Sequence, residues 1–299
     1  MHKVPLHIIS GFLGSGKTTL LKNIIYKYSD SVKIGIIQNE FAPAGIDGAI
    51  LKETGKNFRM LEIKNGSIFC ICRMGAFVSS LEQLIDEYSP EVIIVESSGL
   101  SDTTSMAEFL TLGNLAEKIF LATNWCIVDA LNFSKTGVQK QRVCHQIRMA
   151  DVVIINKTDL AADKTAEIKA EILKINPFAE IRGSTFCTID FELGRAYVSK
   201  TFSTEQKPLP LPNVNSMVIR SRKKITYQSL ENFLENWSPK AYRIKGFVNL
   251  TEGKTVAVQC IFGSVEIKET ENSFQNSEII ALSEQFTLRE WNKAFSEIK

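Results

Sequence analysis

One stretch constrains this chain more than any other: "HIISGFLGSGKTTLLKNII", from His7 to Ile25. An apolar β-type run enters a glycine-rich loop, and the chain leaves it as a helix with Leu20, Leu21, Ile24 and Ile25 on one face. Gly11, four intervening residues, and then Gly16, Lys17 and Thr18 form the phosphate-loop pattern, with strand before and helix after as that pattern requires. The glycines let backbone N–H groups curl around phosphate oxygens, and the helix N-terminus adds the positive end of its dipole. Gly11, Gly14, Ser15, Gly16, Lys17, Thr18 and Thr19 are therefore expected to bind a nucleotide, with Lys17 on the β/γ-phosphates and the Thr18 hydroxyl on Mg²⁺.

A loop of this kind needs a parallel sheet to stand on, and the sequence supplies one. Short apolar runs at 4–10, 33–40, 58–66, 91–99, 125–130, 151–157 and 179–185 alternate with helical patterns such as "MGAFVSSLEQLIDEY". Several of the runs lack polar alternation, as strands covered on both faces do. The expected fold is α/β: a phosphate-loop domain over residues 1–201, its mostly parallel sheet covered by helices on both faces. The proline-bearing stretch "FSTEQKPLPLPNVNS" marks a linker at 202–216, and a smaller α+β C-terminal domain with a mixed sheet is expected over 217–299.

Two further strand ends carry chemistry. "VIIVESSG" ends in Glu96, a carboxylate placed to hold Mg²⁺ directly or through water, and Ser97–Ser98–Gly99 offer backbone to the γ-phosphate. "NKTD" follows the strand "DVVII" and selects the base. The Asp159 carboxylate can accept from guanine N1–H and the exocyclic amine, whereas adenine has no such amine and carries an acceptor at N1. Asn156 can reach the purine edge and the Lys157 stem can cover the ring. The expected ligand is GTP with Mg²⁺. A nucleoside or small-molecule kinase shares the phosphate loop, but "NKTD" and the lack of an evident acceptor site argue against one.

Composition excludes other classes. The net charge is +2 with no long basic block, which gives nucleic-acid binding no support. No apolar run reaches the ~18–20 residues of a membrane span, and no apolar leader precedes the first strand, so a cytoplasmic protein without a membrane partner is expected. Six cysteines are then expected as reduced thiols. Cys126, Cys144, Cys187 and Cys260 stand apart in or near apolar stretches and read as small hydrophobes; only Cys70 and Cys72, in "GSIFCICR", have a spacing that two ligands of one ion can use. Packing at the end of a strand is the competing reading of that pair. Cys144–His145 is a pair of ligand types, but adjacent helical residues point about 100° apart.

Taken together, "SGFLGSGKTTLL", "QNEFAPAGID", "IKNGSIFCIC", "IIVESSGLSD", "CIVDA", "QIRMADVVIINKTDL", "INPFAEI" and "YRIKGFVNL" resemble the CobW-type GTPases, relatives of the hydrogenase and urease nickel-insertion GTPases, over nearly the whole chain. The resemblance implies a GTP-hydrolysing metallochaperone that binds Zn²⁺, Co²⁺ or Ni²⁺ between phosphate loop and switch segments and delivers it to a client metalloprotein. It implies Glu40 as a metal ligand beside Cys70 and Cys72, with a solvated or Mg²⁺-shell carboxylate as the competing reading of Glu40, and Asp47 near Mg²⁺ or the attacking water, with a turn-forming role for Asp47 equally open. Lys17, Glu96 and Asp47 are the catalytic candidates. The family's Gly-Cys-x-Cys-Cys motif is altered here: Ser67 and Phe69 stand at the first two cysteine positions, Cys70 at the third, and Cys72 is additional. A GTP-dependent activator of a metal- or corrinoid-containing enzyme, carrying no metal itself, is the alternative. Slow intrinsic hydrolysis and a GTP-dependent homodimer are further expectations, and Arg243, Lys245 and Gly246 resemble a family signature whose role the residue types do not reveal.

Overall fold

The computed structural model describes residues 3–39, 57–63, 74–97, 114–135, 140–191, 193, 215–261, 263–270 and 275–298. Glu40, Asp47, Cys70 and Cys72, with most of the expected linker, lie outside the described residues.

Seven strands form the first sheet: β1 (Val4–Gly11), β2 (Ile34–Asn39), β3 (Phe58–Ile63), β4 (Val92–Glu96), β5 (Ile119–Asp129), β6 (Val152–Asn156) and β7 (Glu180–Ser184). Their order is β3-β2-β4-β1-β5-β6-β7 and every pairing is parallel. β4 and β6 are buried at all positions, as their unbroken apolar sequences require. β5 begins at Ile119 rather than at the expected Trp125. Thr123 and Asn124 interrupt its apolar run, yet both are buried, and the Asn124 side chain donates to Met149 O at 2.9 Å.

The helices of this unit are α1 (Lys17–Tyr28), α2 (Met74–Tyr88), the short α3 (Leu115–Lys118), α4 (Lys140–Met149) and α5 (Thr165–Ile175). Neighbouring strand residues feed opposite cores. Ile9, Ile34, Ile36 and Ile94 pack with Leu20, Leu21, Ile24 and Ile25 of α1. Leu6, Ile8, Ile93 and Val95 pack with Phe77, Leu81 and Leu84 of α2. The chain crosses from β1 to β2 on one side and later to β5 on the other, so β1 sits at the point where strand order reverses. Ligands of such sheets bind beyond the strand C-termini at that point.

The second sheet contains β8 (Asn215–Ser221), β9 (Arg243–Asn249), β10 (Thr255–Ile261), β11 (Ser264–Thr270) and β12 (Ser277–Ser283), ordered β11-β10-β9-β12-β8. The expected mixed sheet is not what forms: these five strands pair antiparallel throughout. Only a few residues separate β9 from β10 and β10 from β11, and connections that short permit no other pairing. β8 begins inside the stretch expected as linker, because Asn215 and Ser216 pair with Ser283 and Leu282. Helices α6 (Tyr227–Trp237), capped by Thr226, and α7 (Leu288–Glu297), opened by a Thr287–Glu290 capping box, cover one face around Leu230, Phe233, Trp291 and Phe295. The pleat turns Val218, Phe247, Ala257 and Ile280 the other way, into the same core as α2. Among the described residues no helix is long and apolar enough to cross a membrane.

Candidate nucleotide-binding site

The phosphate loop leaves β1 at the strand-order reversal. Gly16 has φ +117°, and a Cβ there would stand 2.4 Å from Asn156 Nδ2 and 2.8 Å from Cys187 Sγ, so only glycine fits. Gly16 also opens α1 without a side-chain cap, which leaves the first-turn N–H groups for an anion. Lys17 curls back over the loop, its ammonium donating to Gly11 O at 2.9 Å and Phe12 O at 3.1 Å. Burial pulls the Lys17 pKa down, with the Glu96 charge acting against it.

Beside the loop, Thr18 Oγ1 donates to Glu96 Oε1 at 3.0 Å, and Gln38 Nε2 donates to Glu96 Oε2 at 3.0 Å. Gln38 and Glu96 are register partners on β2 and β4, so the parallel sheet sets this contact. A hydroxyl and a carboxylate side by side, next to a phosphate loop, are the hard oxygen donors Mg²⁺ takes. The buried hydroxyls of Ser15 and Ser97, which have no hydrogen-bond partner among the described residues, add polar capacity at the same strand ends. The residues therefore fit the ion. The Ser97 backbone differs from expectation: its N–H is taken by Ile9 O at 2.9 Å and is not presented to a phosphate.

The segment expected to read the base follows β6. The buried Asn156 amide donates to Ser15 O at 2.8 Å and accepts from Cys187 N at 2.9 Å, so it braces the loop against the chain beyond β7. Lys157 adopts φ +63°, and its ammonium pairs with Asp129 Oδ2 at 2.7 Å, which fixes the stem. Burial alone would raise the Asp129 carboxyl. Hydrogen bonds from Lys157 and Asn132, the Lys157 charge and the Leu131 N–H together hold it below the usual range. Asp159 lies in the turn Thr158–Leu160, exposed, its carboxylate without a partner among the described residues. It is open to a base.

Sequence reasoning missed four contributors. Gln38 and Asp129 lie at or next to the C-terminal ends of parallel strands, a position that could have drawn attention to both. Asn23 donates to Phe186 O at 2.9 Å and Cys187 O at 3.1 Å, holding two consecutive residues at φ +52° and +53°. Cys187, expected to be incidental, lies under the loop with Sγ 3.4 Å from Gly16 O, and burial pushes its pKa up to about 12. Cys126 and Cys260 are buried, with thiols likewise at about 12. No cluster of three metal-ligating side chains occurs among the described residues.

Residues 5–182 match the model of the CobW/HypB/UreG nucleotide-binding domain, and residues 214–296 match the cobalamin synthesis protein CobW C-terminal domain. Zinc-regulated GTPase metalloprotein activator 1 of Dictyostelium discoideum is 27% identical, the match covering 82% of this chain and 62% of that protein. Zinc chaperone YeiR of Escherichia coli K12 is 30% identical over 51% of this chain and 46% of its own length. The chain thus spans about half to two thirds of the length of these curated relatives. The crystal structure of Zn(II)-bound YjiA GTPase from Escherichia coli superposes over 100% of both chains with a TM-score of 0.52 at 19% identity, a likeness of fold. With the phosphate loop, the Glu96 strand and the "NKTD" turn all within the matched span, the chain belongs to the CobW/HypB/UreG family and carries its nucleotide-binding domain.

Proposed function

We propose that this protein binds GTP with Mg²⁺, hydrolyses it slowly, and couples the nucleotide state to carrying a transition metal to a client metalloprotein. The observation that carries the nucleotide half is the Asn156–Ser15 hydrogen bond of 2.8 Å. It ties the phosphate loop to the strand end that leads into the "NKTD" turn, with the Asp159 carboxylate open beside it, which supports reading the two as one nucleotide site.

In this reading Asp159 accepts from guanine N1–H and the exocyclic amine, and Lys157, held by Asp129, lays its stem along the ring. Lys17 exchanges its two carbonyl partners for β/γ-phosphate oxygens. The N–H groups of the first turn of α1 bind phosphate oxygens. Thr18 and Glu96 hold Mg²⁺, which when bound neutralises charge on the phosphate oxygens. The proposed catalytic set is Lys17, Glu96 and Asp47. No strong general base adjoins the loop among the described residues, which fits slow turnover until a client, a metal or a second copy of the chain accelerates it.

The metal half is supported by the names of the relatives, a zinc-regulated activator and zinc chaperones. Glu40, Cys70 and Cys72 are the proposed ligands for Zn²⁺, Co²⁺ or Ni²⁺ as cargo. Loops ordered by a γ-phosphate relax on hydrolysis, and release of the ion follows. A cytoplasmic, reducing setting keeps the thiols available. Cobalt titration with and without a non-hydrolysable GTP analogue tests the coupling through thiolate absorption bands. Equal affinity in the analogue and GDP states would refute it. A second reading, an activator that carries no metal, is favoured by Ser67 and Phe69 standing at two thiol positions; replacing Cys70 and Cys72 by Ser without loss of client activation would select it.

A further inference from the structure

The C-terminal sheet reaches into the nucleotide domain at one buried carboxylate. Arg243 and Lys245 are alternate residues of β9 and share the face that turns toward the first sheet. Arg243 Nη2 and Lys245 Nζ both donate to Asp151 Oδ1, and all three side chains are buried. Asp151 Oδ2 accepts from Asn124 N at 2.7 Å. Lys245 Nζ also donates to Met149 O at 2.7 Å, which Asn124 Nδ2 meets at 2.9 Å. Asn176 closes the other side of the turn, donating to Ile147 O, Arg148 O and Ala150 O at 2.9, 3.0 and 2.9 Å.

The gap left between these groups is a cavity of about 10 Å³, room for one water at most. The attraction is therefore poorly screened. Burial pulls the Lys245 ammonium down to about 8, with Asp151 opposing that shift and Arg243 adding to it, so the carboxylate sustains the charge. Burial alone would raise the Asp151 carboxyl, and the two cations lower it.

Asp151 immediately precedes β6, whose other end is Asn156. Five strand steps, about 16 Å, separate the clasp from the base-reading turn. β6 lies between β5 and β7 and is buried at every position, so it transmits displacement along its axis. At its far end Asn156 touches Ser15 and Cys187 directly, with Lys157 and Asp159 just beyond.

We propose that Arg243 and Lys245 are positioning residues for base recognition: through Asp151 they fix the axial position of β6, and with it the placement of Asp159. The inference rests on the guanine reading above. It assigns the C-terminal domain a part in nucleotide selection, and it gives the two basic residues of "YRIKGF" a task beyond bracing a strand.

The test uses the full chain and two fluorescent nucleotides, labelled GDP and labelled IDP, which lacks the exocyclic amine that Asp159 reads. Lys245→Met is expected to weaken GDP about tenfold and to narrow the GDP-over-IDP preference, with Lys245→Arg restoring much of it. Trp291→Phe, in the C-terminal core away from the clasp, supplies a destabilised control whose preference stays that of the wild type. A Lys245→Met protein with the wild-type preference and only a lowered melting temperature overturns the proposal. Should Lys245→Met not fold, Arg243→Lys, which keeps the charge and shortens the reach, serves instead, and an unchanged preference overturns the proposal equally. Wild-type protein without any GDP-over-IDP preference fails the guanine reading itself, and the proposal with it, before any variant is compared.

Discussion

The Asn156 side-chain amide lies 2.8 Å from the Ser15 carbonyl and joins the C-terminal end of β6 to the phosphate loop. The same side chain accepts from the Cys187 N–H, so one buried residue satisfies two backbone groups from different loops. Asn156→Asp turns the donor into an acceptor facing the Ser15 carbonyl. A buried polar group left unsatisfied costs about 1–3 kcal/mol. The variant is expected to bind GDP at least about tenfold more weakly and to melt earlier. Titration with labelled GDP checks it; wild-type affinity would show that the two loops position themselves independently.

Glu96 receives the Thr18 hydroxyl and the Gln38 amide on its two oxygens. Glu96→Gln keeps an acceptor for Thr18 and removes the charge. The Mg²⁺ concentration needed for half-maximal GTP hydrolysis should rise about tenfold, whereas GDP affinity in EDTA should stay within about twofold. A Mg²⁺ dependence that does not move would take Glu96 out of the ion's coordination sphere.

The sheet of the nucleotide domain was legible because its chemistry is local. β4 and β6 are apolar without interruption, and each ends in a polar residue, Glu96 or Asn156, at the strand C-terminus. The phosphate loop and the "NKTD" turn are contiguous motifs, and contiguous motifs survive reading in one dimension. What escaped was pairing between distant residues. Gln38 meets Glu96 only because β2 and β4 are register partners, and Asp129 meets Lys157 only because β5 and β6 are. Nothing in the isolated strand "WCIVDA" distinguishes a carboxylate that anchors a lysine from one that faces water. The C-terminal sheet is antiparallel where a mixed one is expected, because strand direction depends on how connections fold back, which residue types record weakly. Arg243 and Lys245 resembled a signature without a readable role, since their partner lies about ninety residues upstream, at Asp151.

Gly246 follows that pair and has φ +157°, where a Cβ would stand 2.0 Å from Glu278 O and 2.6 Å from Ile279 Cα. The obstruction is backbone of the neighbouring strand β12, which cannot move without breaking the ladder. Gly246→Ala should lower stability by more than about 3 kcal/mol, read as a shift in the urea midpoint. A variant within about 1 kcal/mol of wild type would show that β9 and β12 can part at this point.

Two buried groups, His7 and Glu278, lose stability in different acid windows that can be separated. His7, on β1, is buried with neither ring nitrogen hydrogen-bonded among the described residues, and its ring packs T-shaped against that of Phe191, centroids 5.1 Å apart. Burial holds its pKa at about 3, against 6.5 ordinarily, although the Asp151 charge pulls upward. Below pH 6.5 the unfolded chain takes up a proton that the folded chain refuses until about pH 3. Stability therefore falls with pH across that interval and is unaffected by His7 above it. Glu278 acts lower. Burial alone would raise it, but the hydrogen bond from His145 and the charges of His145, Arg148 and Arg220 hold it at about 2 against 4.5. Its contribution is complete above about pH 4.5 and is lost as pH falls toward 2. Between pH 6.5 and 4.5 His7 alone of the two changes the balance. His7→Leu should gain on wild type by roughly 2 kcal/mol on going from pH 7 to pH 5. Urea unfolding of wild type and His7→Leu at the two pH values decides it. A His7→Leu protein whose stability changes with pH as the wild type's does would mean that the imidazole is protonated within the fold.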